Sequence, residues 1–146
     1  MRSHTWELKR EVSSWPHISV HLHRFGGWEF LFDKAEVGHV HLGGVVDIPF
    51  TRAIHDALLE DELAEEHRWV PNSGWTTFRM RTEKDSEHAR WLLRLSYLRY
   101  ELKRSADPER LLERAGEDLG LSPRFASLLA QFVPRRSASV SAEPVH

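Results

Sequence analysis

The chain has 146 residues, enough for one ordinary domain, and with 40% hydrophobic and 29% charged residues it is typical of a folded globular protein. Its formal charge of −2 excludes a sequence-wide polycation, so neither nucleic acid nor an anionic membrane is an expected partner. Cysteine is absent, which excludes disulfides, thiolate nucleophiles and Cys-based zinc sites. The start MRSHTWELKR has no apolar signal-peptide region, and no run approaches the roughly 18 apolar residues of a membrane span, so we expect a cytoplasmic protein.

The first part of the chain predicts a helix followed by a β-meander. The helix covers residues 4–13 and is ended by Pro16, since the residue before proline favours extended geometry. Three segments then have strand-like alternation or aromatic composition, at residues 18–24, 28–32 and 36–42. Gly26-Gly27 and the turn at 33–35 predict tight connections, so the three strands form an antiparallel meander.

The remainder predicts one strand and four helices. The strand covers residues 75–81, and the helices cover residues 52–66, 84–104, 108–119 and 123–132. Asp107-Pro108 and Ser122-Pro123 are typical of an N-cap followed by proline at the first helical position. The predicted fold class is α+β, an antiparallel β-meander or sheet packed against helices, with a helical C-terminal extension over 105–133. We expect residues 1–133 to form a single domain and residues 134–146 to be a disordered tail.

Histidines dominate the predicted meander. If Gly26-Gly27 and Lys34-Ala35 are two-residue loops, one face carries four histidines and four aromatic rings: His21, His23, His39, His41, Phe25, Trp28, Phe30 and Phe32. Three functional interpretations stay open, a metal site, an acid/base site and a polar lining for an aromatic pocket, beside that of structural histidines. The two His-x-His pairs lie on strands that flank a third, roughly 10 Å apart. We therefore assign no metal ligand and no cofactor, and a metal stays the lesser alternative, with a carboxylate from Glu29, Glu36 or Asp47.

Further polar residues follow the meander. Asp47 is a candidate catalytic carboxylate or a brace for the turn before a helix. Trp75, Thr77, Arg79 and Arg81 share one face of their strand, a pattern that could bind an anion or a base. The chain contains no GxGxxG, P-loop, GxSxG or HExxH motif, so the common nucleotide-binding and hydrolase signatures are missing.

Three segments carry a resemblance to a known family: WPHISVHLHRFGGWEF, EVGHVHLGGVVDIPFTRAIHDALL and HRWVPNSGWTTFRMRTEKDSEHARWLLRLSYLRY. Over about residues 6–100 the chain resembles bacterial members of the luciferase-like domain family, which includes the fungal luciferases. The fungal enzymes oxidise a hydroxylated pyrone with O2, and the resemblance implies no metal or organic cofactor. The turn here is RFGGWEF and no Trp-Gly-Glu-His stretch occurs, so luciferase activity is not carried over. The resemblance implies a site location, at His23, Glu29, His39, His41 and Asp47.

The leading hypothesis is a small-molecule-binding domain with an aromatic, histidine-lined pocket for a planar ligand. It could be a cofactor-independent oxidative enzyme, although whether it is an enzyme stays open. The candidate catalytic residues are His23, His39, His41 and Asp47, and the candidate ligand-binding residues are Arg24, Trp28, Glu29, Phe30, Trp75 and Arg79. The alternative is a non-catalytic module that binds nucleic acid or protein through the Arg79/Arg81 face and helix 84–104. This second half faintly resembles YjbR-like double-wing α+β proteins, some of which have been proposed to bind DNA.

Overall fold

A computed structural model describes residues 2–23 and 26–134 of the chain. The predicted ligand-binding residue Arg24, its neighbour Phe25, and the tail expected to be disordered, from residue 135 on, lie outside the described residues. The helices are α1 (Arg2–Ser13), α2 (Arg52–Glu60), α3 (Glu83–Arg104), α4 (Pro108–Leu119) and α5 (Pro123–Ala130). The strands are β1 (Ile18–Leu22), β2 (Trp28–Phe32), β3 (Ala35–Val40), β4 (Val45–Pro49), β5 (Glu65–Glu66) and β6 (Trp75–Arg79).

The six strands form one antiparallel sheet with the order β1-β2-β3-β4-β6-β5. The first four strands follow one another as a meander, because short turns can join only neighbouring antiparallel strands. β6 then pairs with β4, and the two-residue β5 lies on its other side. The predicted α+β class, with an antiparallel sheet and a helical C-terminal part, is confirmed.

The predicted register of the first hairpin is wrong. The last pair of β1 and β2 is Leu22 with Trp28, so the loop between them is longer than two residues. His21 consequently lies opposite Glu29 rather than Phe32. Gly26 and Gly27 both have positive φ, but they close the loop through backbone hydrogen bonds with His23 instead of forming a two-residue turn.

The second hairpin also differs from its prediction, because a register shift separates Phe30 from Leu31. Phe30 lies opposite Gly38, and Glu29 lies opposite His39. An odd change of register exchanges the two faces of a strand. The aromatic residues of β2 therefore lie on the face opposite to the histidines.

Helix α3 fills the core on the aromatic face of the sheet. Its Leu92, Leu93 and Leu95 are fully buried, as expected for a helix that is apolar around much of its circumference. Ser96 donates a hydrogen bond of 2.8 Å to the backbone oxygen of Val37 on β3, which fixes the helix against the strand. With this face covered, the opposite face of the sheet is left to carry the polar site.

Helix α2 ends six residues earlier than predicted, at Glu60. Glu62 has a φ of 58°, its amide bonds to the oxygen of Leu59, and the amide of Leu63 bonds to that of Leu58. This pattern is a Schellman ending, which satisfies the last helical carbonyls and reverses the chain. The released residues form β5 at Glu65–Glu66.

The described residues up to Tyr97 form one compact unit, and those from Leu98 form a second. In the second unit, the predicted bounds of α4 are confirmed: Asp107 caps its start, and Gly120 ends it in the left-handed conformation. The single domain over residues 1–133 stays a prediction. Among the described residues, no helix combines the length and the apolar character that a membrane crossing requires.

Candidate functional site

The polar face of the sheet is organised around Asp47 in β4. His39 of β3 lies directly opposite Asp47 on one side, and Thr77 of β6 lies opposite it on the other. Directly opposed residues share a face of the sheet, so three neighbouring strands present these side chains side by side. The positions are fixed by backbone pairing on both sides, which makes them rigid.

The Asp47 carboxylate is 5% exposed and is surrounded by donors. Thr77 Oγ1 donates to Oδ1 at 2.7 Å. Three imidazole nitrogens approach Oδ2: His41 Nε2 at 2.9 Å, His39 Nε2 at 3.3 Å and His67 Nε2 at 3.6 Å. Burial raises the pKa of Asp47, but the hydrogen bonds from His39, His41 and Thr77 outweigh it and hold the pKa far below its usual range. We refer to Asp47, His39, His41 and His67 as the Asp47 cluster.

His39 is held from both ends. Its Nδ1 lies 2.7 Å from Oε2 of Glu36, and its ring packs against Trp75 with centroids 5.5 Å apart. Burial lowers the pKa of His39, but the hydrogen bonds with Asp47 and Glu36 prevail and raise it to about 9. In the metal-free protein His39 is therefore an imidazolium at neutral pH.

His23, in the loop after β1, lies beside the Asp47 cluster. Its ring stacks on His39 with centroids 4.2 Å apart, and it lies 5.2 Å from the ring of His41. The predicted separation of roughly 10 Å between the two histidine pairs is thus wrong for His23. His23 follows Leu22, the last paired residue of β1, so the strand spacing does not apply to it. Burial lowers the pKa of His23, and nearby His39 and His41 lower it further.

A cleft of about 670 Å³ opens above the Asp47 cluster. Its floor is imidazole and carboxylate, and its rim carries two guanidinium groups and one indole. The lining residues are His23, His39, His41, Val45, Asp47, His67, Arg68, Trp69, Thr77 and Arg79. Trp69 is 79% exposed, so its indole is accessible to a molecule that enters the cleft from solvent.

The structure brings all four predicted catalytic residues together, whereas the predicted ligand-binding residues lie in different parts of the sheet. Arg79 lines the cleft, and Trp75 packs against the rings of His39 and His67. Glu29 lies opposite His39 on β2 and is half-buried.

The structure corrects the expectation that Trp28 and Phe30 of β2 line the histidine site. Phe30 is fully buried, and Trp28 packs on Trp6 of α1 with ring centroids 5.6 Å apart. Both lie on the face opposite to the histidines, because the pairing of the first hairpin differs from the expected one by an odd number of residues. His21 is exposed beside Ser19 and stays outside the cluster.

Sequence reasoning missed His67. It stands alone in the segment His67-Arg68-Trp69, with no His-x-His partner to mark it. It reaches the cluster because β5 pairs with β6 just before it and because its amide bonds to the oxygen of Trp75 at 3.4 Å. The Schellman ending of α2, which creates β5, has no glycine to signal it in the sequence.

Two kinds of chemistry are available to this arrangement. A buried carboxylate bonded to imidazoles can orient a histidine and pass protons along the network. The same donor atoms can ligate a metal ion, since one atom each from His39, His41 and Asp47 lies within 4.8 Å of the others.

The metal-free protein is expected to lose stability on both sides of a window from about pH 4 to pH 6.5. Asp47 has a lowered pKa, so its contribution is present above the unfolded value and is lost as the pH falls. His39 has a raised pKa, so its contribution is full below the unfolded value of 6.5 and is lost as the pH rises through about 9. In thermal unfolding of chelator-treated protein, the free energy of unfolding should fall by about 2 kcal/mol between pH 6 and pH 9.5. His39→Gln should flatten this alkaline slope, and an unchanged slope in that variant would assign it to other groups.

A comparison with known protein families matches one segment of the chain. The model of the family described as "Luciferase domain" matches residues 34–96. The matched segment contains the whole Asp47 cluster together with Thr77 and Arg79, whereas His23 precedes it. No curated protein and no solved structure matches the chain. Residues 34–96, less than half of the chain, are thus similar to the luciferase-like domain family.

Proposed function

We propose that the cleft binds a small, planar, acidic aromatic molecule, of the chemical class of hydroxylated pyrones and phenolic acids. The observation that carries this proposal is the combination of two guanidinium groups and an exposed indole at the rim of a cleft with a buried polar floor. The proposal covers binding, and oxidation of the bound molecule is tested separately by oxygen consumption.

The charge of the rim supports an anionic ligand. Arg68 and Arg79 both line the cleft and are exposed, so they can meet a ligand in solution. A guanidinium offers a planar fork of donors that matches a carboxylate or an enolate oxygen pair. Among the described residues, Asp47 is the one carboxylate that lines the cleft, and it is paired with Thr77 and the imidazoles, which offset its repulsion of an anion at the rim.

The shape and the rings of the cleft support a planar ligand. A volume of about 670 Å³ lies within the range of small-molecule sites, roughly 300–1,000 Å³. The indole of Trp69 presents its face, with the guanidinium of Arg68 above it 5.8 Å from the ring centroid. Indole and guanidinium planes both stack on flat conjugated molecules.

Titration with 4-hydroxy-2-pyrone or salicylate, followed by tryptophan fluorescence and calorimetry, tests the proposal. We expect saturable 1:1 binding to the wild-type chain. Arg79→Gln should weaken it roughly tenfold, because it removes a charged hydrogen bond. Trp69→Ala should weaken it roughly fivefold through the loss of stacking.

Arg81→Gln is the matched control, since Arg81 is exposed two residues beyond Arg79 and does not line the cleft. Its affinity should equal that of the wild-type chain. Absence of saturable binding to either probe, or equal losses in the two arginine variants, would contradict the proposal. Binding of a DNA or RNA oligonucleotide that depends equally on Arg79 and Arg81 would favour an interaction module instead.

A further inference from the structure

We propose that His39, His41, His67 and Asp47 together bind one divalent transition-metal ion. This inference goes beyond ligand binding in the cleft, and its evidence lies in the donor atoms at the cleft floor. Imidazole nitrogen and carboxylate oxygen suit Zn²⁺, Fe²⁺, Co²⁺ and related ions, and three histidines with one carboxylate form a complete four-coordinate set.

The spacing of the donor atoms matches a coordination sphere. The distances from Oδ2 of Asp47 to the three Nε2 atoms are 2.9, 3.3 and 3.6 Å. Metal–ligand bonds of 2.0–2.1 Å in a tetrahedron place neighbouring ligand atoms about 3.4 Å apart. One donor atom each from His39, His41 and Asp47 lies within 4.8 Å of the other two. His67 approaches the same carboxylate oxygen from the segment after β5.

Hydrogen bonding to Oδ2 accounts for His39 and His41 but not for His67. A carboxylate oxygen has about two lone-pair sites, which His41 at 2.9 Å and His39 at 3.3 Å occupy, whereas Nε2 of His67 lies at 3.6 Å, beyond hydrogen-bond distance. Thr77 occupies the other oxygen, Oδ1. A cation between His39, His41 and Asp47 would satisfy their three donor atoms at once, and a small movement of His67 would add the fourth.

Glu36 supplies the outer contact that a metal-binding histidine needs. It lies 2.7 Å from Nδ1 of His39, so it accepts that N–H and directs the lone pair of Nε2 toward Asp47. A lone pair that faces a carboxylate oxygen at 3.3 Å is repulsive unless a cation lies between them. That cation is either a proton on His39 or a metal ion, and the presence of His41 and His67 at the same point favours the metal.

The test uses the full-length chain without a histidine tag, treated with a chelator and then titrated with Co²⁺ or Zn²⁺ alone. We expect one equivalent of Co²⁺ to produce the visible absorption bands of a low-coordinate cobalt site, and Zn²⁺ to displace it. His67→Ala and His41→Ala should each weaken binding by about 100-fold or more. Glu36→Gln should keep the 1:1 stoichiometry and weaken binding by about 10–100-fold.

His21→Ala is the matched control, because His21 lies on β1 of the same sheet and is exposed outside the cluster. It should bind Co²⁺ as the wild-type chain does. Circular dichroism of each variant confirms folding, and His67→Ala is the variant least expected to disturb the sheet because it follows β5. Absence of stoichiometric binding by the folded wild-type chain, or equal affinity in His67→Ala and His21→Ala, would overturn the proposal. Since this titration contains no organic ligand, its failure would leave the binding of planar acids to be judged on its own result.

Discussion

Asp47→Asn is expected to lower the free energy of unfolding of the metal-free protein at pH 6 by about 3–5 kcal/mol. The buried carboxylate accepts from Thr77 and from the imidazoles of His39 and His41. An amide has a single acceptor oxygen, and its NH2 group would face donors. It would also leave the His39 imidazolium buried beside a neutral group, which is the costly half of a broken ion pair.

Urea unfolding at pH 6 measures the change, with Glu113→Gln in α4 as a control that removes an exposed carboxylate. The control should remain within about 0.5 kcal/mol of the wild-type chain. A more stable Asp47→Asn protein would instead show that the cluster is held together at a cost to the fold. The Asn variant should also lose the binding of Co²⁺, because one of the four proposed ligands is gone.

The second large effect is expected at Gly27. A Cβ at this position would lie 2.0 Å from the backbone oxygen of Val40 and 2.8 Å from Cα of His41, and the residue has a φ of 93°. Both the contact and the conformation exclude a side chain, and neither neighbour can move without displacing β3. Gly27→Ala should therefore destabilise the chain by about 3 kcal/mol and shift His41 away from Asp47.

Gly43→Ala is the matched control for this change. Gly43 lies in the loop between β3 and β4, and a Cβ there would have no atom within 4 Å. Its melting temperature should equal that of the wild-type chain, whereas that of Gly27→Ala should fall by several degrees. Equal melting temperatures in the two variants would contradict the close approach of the loop to β3.

The sequence predicted an element well where interactions between neighbouring residues define it. Asp107-Pro108 and Gly120 define both ends of α4, because a cap and a left-handed residue act on their immediate neighbours. The alternation of residues 36–42 likewise predicted β3 and placed His39 and His41 on one face.

The pairing of the strands could not be read in the same way. Gly26-Gly27 is typical of a two-residue turn, but the loop that contains it is longer. The strand pairing is therefore displaced by an odd number of residues, which puts Trp28 and Phe30 on the other face of the sheet. His67 was missed because its place depends on where α2 stops and on a pairing of two residues between β5 and β6. The candidate catalytic residues and Arg79 were predicted from the sequence, whereas Arg68, Trp69 and His67 were found only in the fold.

The shortness of β5 has a consequence for how the Asp47 cluster assembles. His39 and Asp47 lie on strands paired along both edges, whereas His67 is attached through a two-residue strand at the edge of the sheet. Segments with few backbone hydrogen bonds open at a lower free energy than the centre of a sheet. We therefore expect His67, followed by Arg68 and Trp69, to detach before the rest of the site. Its departure would open the cleft floor to solvent while His39, His41 and Asp47 keep their places.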